Sequence, residues 1–239
     1  MKVLITGDSH TAALKLGADM LISNGELNLE YQIYMRQLGS GATFDKPFFV
    51  DRGEFAEITN ELHKKRIKRL PLSKEQEDFE YYGISAPLLT IRLWGDKQYW
   101  TKFTPFSSQG DQAPISASLL RYIVLQDQIH MTQLIELLKR VGVKVFVIEA
   151  PKPFKHHPAI KIAGNKVITY VDQFYRQVMK DWLAEKGVPI INVPSACYDA
   201  DGFMLETYRN DNRLDRTHAN KQFGAVMVKE IISFLKSCD

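Results

Sequence analysis

The chain has 239 residues, of which 45% are apolar and 25% charged, a composition that excludes disordered, collagen-like and disulfide-stapled chains. Its 31 basic and 28 acidic residues leave a net charge of +3, without the clustered basic excess of a nucleic-acid binder. Two cysteines, Cys197 and Cys238, are too few for a secreted disulfide scaffold. No stretch reaches the ~20 apolar residues of a membrane span, and no signal-peptide apolar region follows Met1, so a cytoplasmic setting is expected.

In chain order, the apolar run Val3–Thr6, closed by Gly7, predicts a buried strand. Ser9 to about Ser23 reads as a helix with Ala12, Ala13, Leu16 and Met20 on one face. Tyr31–Leu38 is a second strand, closed by Gly39-Ser40-Gly41. Asp51–Leu70 reads as a helix that ends in the basic run Lys64–Arg69, where cations suit the macrodipole, and stops before Pro71. That run is read as a solvated helix end, with a docking patch for an anionic partner as the alternative. Pro71–Tyr82 is a charged connection, and Pro87–Trp94 is expected to be the third strand.

Gly95-Asp96 followed by the alternating Lys97–Phe106 predicts a hairpin, so 95–110 reads as an insertion. Ser116–Val141 is a long helix stopped by Gly142, Val143–Ile148 a fourth strand, Val167–Lys186 a helix, Val188–Val193 a fifth strand and Ala219–Lys236 the last helix. The alternation argues a single α/β domain, 1–239, with a doubly wound parallel sheet and helices on both faces. In such sheets ligands sit outside the carboxyl ends of the strands, so the loops that follow each strand carry the chemistry.

The first of these loops is Gly7-Asp8-Ser9-His10. A serine leaving a strand and opening a helix presents its hydroxyl to the crevice beside free backbone N–H groups; a helix cap is the plainer reading. The last loop holds Asp215-Arg216-Thr217-His218. A carboxylate three residues before a histidine can hold its Nδ1 and leave Nε2 to deprotonate a serine; an exposed pair at a helix start is the alternative.

Together these loops resemble the SGNH, or GDSL-like, hydrolases. Gly7-Asp8-Ser9-His10 looks like the first block of that family, Ser40-Gly41-Ala42-Thr43 is similar to the second, and Asp215-x-x-His218 is similar to the last. The resemblance implies a five-stranded, flavodoxin-like sheet and a serine esterase that needs no cofactor or metal. Ser9 would be the nucleophile, His218 the base and Asp215 its orienting carboxylate. Backbone N–H groups of Ser9 and Gly41 would bind the oxyanion. The implied substrates are small-molecule or glycan esters with short acyl groups, O-acetyl groups among them.

The third block departs from the family. Relatives place an asparagine after the third strand, whereas the expected position here reads Gly95-Asp96-Lys97-Gln98. The Gln98 amide is a candidate third oxyanion donor, or only a hairpin residue. A non-catalytic or acyl-transferring protein on the same fold is therefore an alternative. A metal-dependent phosphoesterase built on Asp8-x-His10 is a second, although the chain lacks the Asn-His pair such a site uses. His63 and His130 read as structural. His156 and His157 read as a surface pair or as substrate contacts. Trp94, Tyr99, Trp100, Phe103 and Phe106 read as hairpin packing or as a stacking platform.

Overall fold

A computed structural model describes residues 1–27, 31–73, 78–96, 98–107 and 111–238. Strand β1 (Lys2–Gly7) is buried from Val3 onward, with Val3, Leu4 and Ile5 completely inaccessible. That continuous apolar run is the signature of a strand covered on both faces. Helix α1 (Thr11–Ser23) returns along one face, and β2 (Gln32–Gln37) pairs parallel with β1 as an edge strand whose exposure alternates residue by residue.

The segment expected to be a helix at 51–70 is instead a small antiparallel sheet. Strands β3 (Phe49–Asp51) and β4 (Ala56–Ile58) form a hairpin, helix α2 (Glu61–Lys64) follows, and β5 (Arg69–Leu70) pairs with β4. The Asp51 carboxylate accepts the Gly53 N–H at 2.7 Å and Gly53 takes φ +86°, so the aspartate makes a turn rather than a helix start. Asn60 is the cap, accepting from Leu62 and His63. Ala56 and Ile58 are buried on either side of Glu57, a period of two that residue-type propensity concealed.

The third central strand is β6 (Tyr81–Ile84), not 87–94. All four of its residues are buried. Pro87–Trp94 is a buried loop that winds into helix α3 (Ile91–Trp94), because a short apolar run does not distinguish strand from buried loop or helix. The hairpin expected at 95–110, of which 97 and 108–110 lie outside the described residues, is absent among the described residues there. They form helix α4 (Tyr99–Lys102) and strand β7 (Phe103–Thr104), which pairs parallel with β8 (Ala113–Pro114). Trp100 anchors this region, buried and donating its indole N–H to the Leu93 carbonyl at 3.0 Å.

The expected 116–141 helix is two, α5 (Ala117–Asp127) and α6 (Ile129–Arg140), broken at Gln128, whose amide turns inward to the Tyr175 hydroxyl at 2.6 Å. Strand β9 (Lys144–Ile148), helices α7 (Pro158–Ala163) and α8 (Asn165–Glu185), the two-residue strand β10 (Ile190–Ile191) and helix α9 (Lys221–Lys236) complete the chain.

The central sheet is parallel throughout in the order β10-β9-β6-β1-β2. This is the flavodoxin-like order expected, with its switch point at β1, between β2 and β6, where the crevice opens at the strand ends. Helices α1 and α9 cross at a glycine contact. A Cβ on Gly17 would come within 2.2 Å of the Gly224 and Ala225 backbone, and one on Gly224 within 1.8 Å of the Ala13 carbonyl oxygen. Only glycines allow this approach, and it fixes the start of α9 against the start of α1. No helix among the described residues is long and apolar enough to cross a membrane.

Candidate active site

The loop after β1 carries Asp8, Ser9 and His10, and the loop before α9 carries Asp215 and His218. The glycine crossing brings the two loops together. Ser9 Oγ lies 2.6 Å from His218 Nε2, and His218 Nδ1 lies 2.8 Å from Asp215 Oδ2. Asp215 Oδ1 also accepts the backbone N–H groups of His218 at 3.0 Å and Thr217 at 3.1 Å. Burial alone would raise the Asp215 carboxyl. Those N–H donors and the facing imidazole outweigh it and hold the group below its ordinary value. A carboxylate so held takes the Nδ1–H and leaves Nε2 to accept the Ser9 hydroxyl proton. Ser9 is not the cap of α1. That position belongs to His10, which makes no side-chain capping bond, and Asn220 caps α9.

The loop after β2 places Gly41 against the first loop. A Cβ there would come within 2.0 Å of Leu89 Cδ2 and 3.5 Å of the Asp8 Cβ, so any larger residue would have to displace the Leu89 side chain. Among the described residues, neither the Ser9 nor the Gly41 backbone N–H donates to a protein acceptor. Both are thus available to an anion beside the Ser9 hydroxyl. The Gly41 carbonyl is held by Arg92, whose Nη1 donates to it at 2.5 Å. Arg92 in turn makes a bidentate pair with Asp127, at 2.8 and 2.7 Å. Sequence reading missed Arg92, since nothing in the spacing of two residues 35 apart marks them as partners.

Gln98 is not brought to this site. It is exposed at the start of α4, 14 residues beyond the end of β6, and its backbone N–H donates to Asp96. The expectation failed because the third strand was placed too late in the chain. The loop that truly follows β6, 85–90, contains no asparagine or glutamine. Its Ser85 hydroxyl faces Thr11 Oγ1 at 3.0 Å and donates to Asp8 at 3.3 Å, and Thr90 donates to Asp172.

Asp8 and His10 are both buried. Asp8 Oδ1 accepts the His10 backbone N–H at 2.9 Å while its Oδ2 has no partner among the described residues, and burial pushes the carboxyl up to about 7. The His10 ring stands 5.0 Å from that of His218 with its Nδ1 unpartnered. Burial and the neighbouring His218 push the His10 imidazole down to about 3, so it stays neutral. Among the described residues, no three His, Cys, Asp or Glu side chains gather as a metal site.

The remaining histidines and aromatics are tied into the scaffold. His63 packs on Phe44 and Phe48 and meets Thr43 Oγ1 at 2.9 Å. His156 pairs with Glu206 at 3.2 Å, and His157 caps α7 and stands edge-on to Trp94. Tyr99 packs on Trp100 and Phe103, and Phe106 on Tyr170, so these rings are packing. Trp94 alone of the five lines the cleft beside His10.

No family model and no curated protein matches this sequence. Solved structures do match along nearly the whole chain. A GDSL-like lipase from Bacteroides thetaiotaomicron superposes with TM-score 0.52 at 12% identity, covering 100% of this chain and 89% of its own. A protein assigned as an acylhydrolase, from Bacteroides fragilis, gives 0.52 at 14% identity, covering 99% and 87%. One assigned to the G-D-S-L lipolytic family, from Desulfitobacterium hafniense, gives 0.52 at 11% identity, covering 96% and 97%.

Proposed function

On the fold it shares with GDSL-like hydrolases, we propose that this chain is a serine esterase that cleaves short-acyl esters through an acyl-enzyme. The observation that carries the reading is the continuous chain Ser9–His218–Asp215, with Oγ–Nε2 at 2.6 Å and Nδ1–Oδ2 at 2.8 Å. Ser9 Oγ attacks the ester carbonyl carbon as its proton passes to His218 Nε2, and Asp215 stabilises the imidazolium that results. The tetrahedral oxyanion accepts hydrogen bonds from the Ser9 and Gly41 N–H groups. Collapse breaks the bond to the leaving alkoxide, which takes the proton from His218 and departs as an alcohol. Water, deprotonated by His218, then attacks the acyl-serine and releases the carboxylic acid.

Two donors replace the three that a full oxyanion hole would present. The loss of one donor typically costs ~10²–10³ in rate, so turnover on unselected small esters is expected to be slow. The test is Ser9→Ala assayed on 4-nitrophenyl acetate. A folded variant whose kcat falls by ~10⁴ or more supports the reading; one that keeps its rate refutes it.

A further inference from the structure

Three concave surfaces lie in the neighbourhood of the Ser9–His218 pair, and the second of them contains it. One lies beside His10 and Thr217 and carries Lys152 and Arg216 above apolar walls that include Leu89 and Trp94. A second contains Ser9, Gln37, His218 and Lys221. A third adjoins the second through Ala12 and Gln37 and carries Lys15, Arg36 and Arg66. Arg66 belongs to the basic run 64–69, whose Lys64 ends α2 in solvent as expected, and it is the member of that run that lines the third surface.

Five of the cations are not consumed by the protein's own carboxylates. Among the described residues, no Asp or Glu comes within ion-pairing distance of Lys152, Arg216, Lys15, Arg66 or Lys221. Lys152 is half-buried, its ammonium 4.4 Å from the Tyr198 ring centroid. The carboxylates that line the second surface are Asp211 and Asp215, and Asp215 is already engaged by His218. A single charge on a small ester would need one cation near the serine. Cations on both flanks suit negative charges repeated along a chain, with the ester between them. The surface that holds Ser9 sets Asp211 and Asp215 against Lys221, so the positive field lies on the two flanks, where it would concentrate such a ligand.

We infer that the natural substrate is an acylated polyanionic glycan, bound across Ser9 with its acidic groups on the Lys152–Arg216 flank and on the Lys15–Arg66 flank. The inference rests on the esterase reading, which it deepens. The chemistry at Ser9 calls for a carboxylic ester, which an acidic sugar chain carries as an O-acyl group and a nucleic-acid backbone does not.

Binding is measured first on Ser9→Ala protein, which tests recognition without turnover, using de-esterified polygalacturonate, neutral arabinoxylan and duplex DNA. Polygalacturonate should bind, and the affinity should fall about tenfold or more as salt rises and screens the contact. Arabinoxylan should not bind. The double variants Lys152→Met/Arg216→Gln and Lys15→Gln/Arg66→Gln should each weaken polygalacturonate about tenfold. With Ser9 restored, kcat/KM on O-acetylated polygalacturonate should exceed that on acetylated xylan, and the gap should close at high salt. Equal binding of the two glycans, DNA bound as tightly as polygalacturonate, or an affinity that neither double variant moves would overturn the inference. Hydrolysis of neutral esters without polyanion preference sinks this inference alone. Charge-dependent binding with no hydrolysis of any ester sinks the esterase reading instead.

Discussion

Two groups of buried polar side chains lie at the carboxyl edge of the same sheet and are built in opposite ways. At the end of β9, Arg176 donates to Asp172 at 2.9 Å and to the carbonyls of Ala150 and Pro151, and it faces Glu149 at 3.2 Å. Glu149 also faces Lys180 at 2.8 Å and accepts the Val193 N–H at 2.7 Å. Burial would raise Glu149, but Arg176 and Lys180 bring it below its ordinary value. Every charge there meets an opposite one. At the end of β1, Asp8 Oδ2, His10 Nδ1 and the Ser9 and Gly41 N–H groups are left without protein partners among the described residues. Compensated charge makes a scaffold. The uncompensated set lies where the esterase reading puts the reacting ester.

The sharpest way to break that comparison is to exchange the consequences of mutation. His218→Ala should lower kcat by ~10⁴ or more while shifting unfolding free energy by less than about 1 kcal/mol, as a substitution outside the core does. A parallel loss of activity and stability would make His218 structural. Arg176→Ala should behave in reverse. It strands Glu149 and Asp172 in the interior, at a cost of about 3–5 kcal/mol by urea unfolding, and a loss below about 1 kcal/mol would deny the cluster its scaffold role.

Asp8 gives a pH signature. Its carboxyl ionises near 7 in the folded protein against 3.8 for the ordinary group. Between those values the native state holds a proton that the unfolded chain has lost, so stability falls as pH rises from about 4 to about 7 and then levels. The contribution is at most roughly 4 kcal/mol. Asp8→Asn should remove it, and the variant should gain on the wild type as pH rises from 4 to 8. Unfolding curves over that range that keep the wild-type slope would show Asp8 to be ionised in the folded state.

Arg92 tests the link between the two kinds of site, since it is a compensated charge that holds an uncompensated loop. Arg92→Met should release the Gly41 carbonyl and lower kcat by about 10–100-fold with little change in KM, because a displaced donor acts in the transition state. Ser9 should still react with a fluorophosphonate, and Arg92→Lys, which keeps the charge but not the fork, should restore only part of the rate. An unchanged kcat in folded Arg92→Met would remove Arg92 from the account. The smallest effect belongs to Gln98→Ala. It should leave kcat within about twofold and stability within about 0.5 kcal/mol, as exposed positions do; a large fall in kcat would return Gln98 to the oxyanion.

How much of this was legible follows from the range of each interaction. Val3–Ile5 and Val145–Ile148 announce themselves because a strand buried on both faces is an unbroken apolar run, and Asp215-x-x-His218 is readable because its partners are three residues apart. Strand β6 was hidden. Tyr81-Tyr82-Gly83-Ile84 has a glycine where a Cβ would meet the Phe146 ring at 2.6 Å, a packing reason invisible along the chain. Pro87–Trp94 looked more like a strand than β6 did, and misplacing it carried the third oxyanion donor to Gln98. The Arg92–Asp127 pair, and the placing of Lys15 with Arg66 and of Lys152 with Arg216 on surfaces that flank the first loop, depend on tertiary approach alone.

The central claim is that Ser9 is a nucleophile activated by His218. Intact-mass analysis after exposure to a fluorophosphonate tests it most directly. The account predicts a single adduct on Ser9, absent in Ser9→Ala and strongly slowed in His218→Ala. An unmodified protein, or an adduct that survives Ser9→Ala, would contradict it.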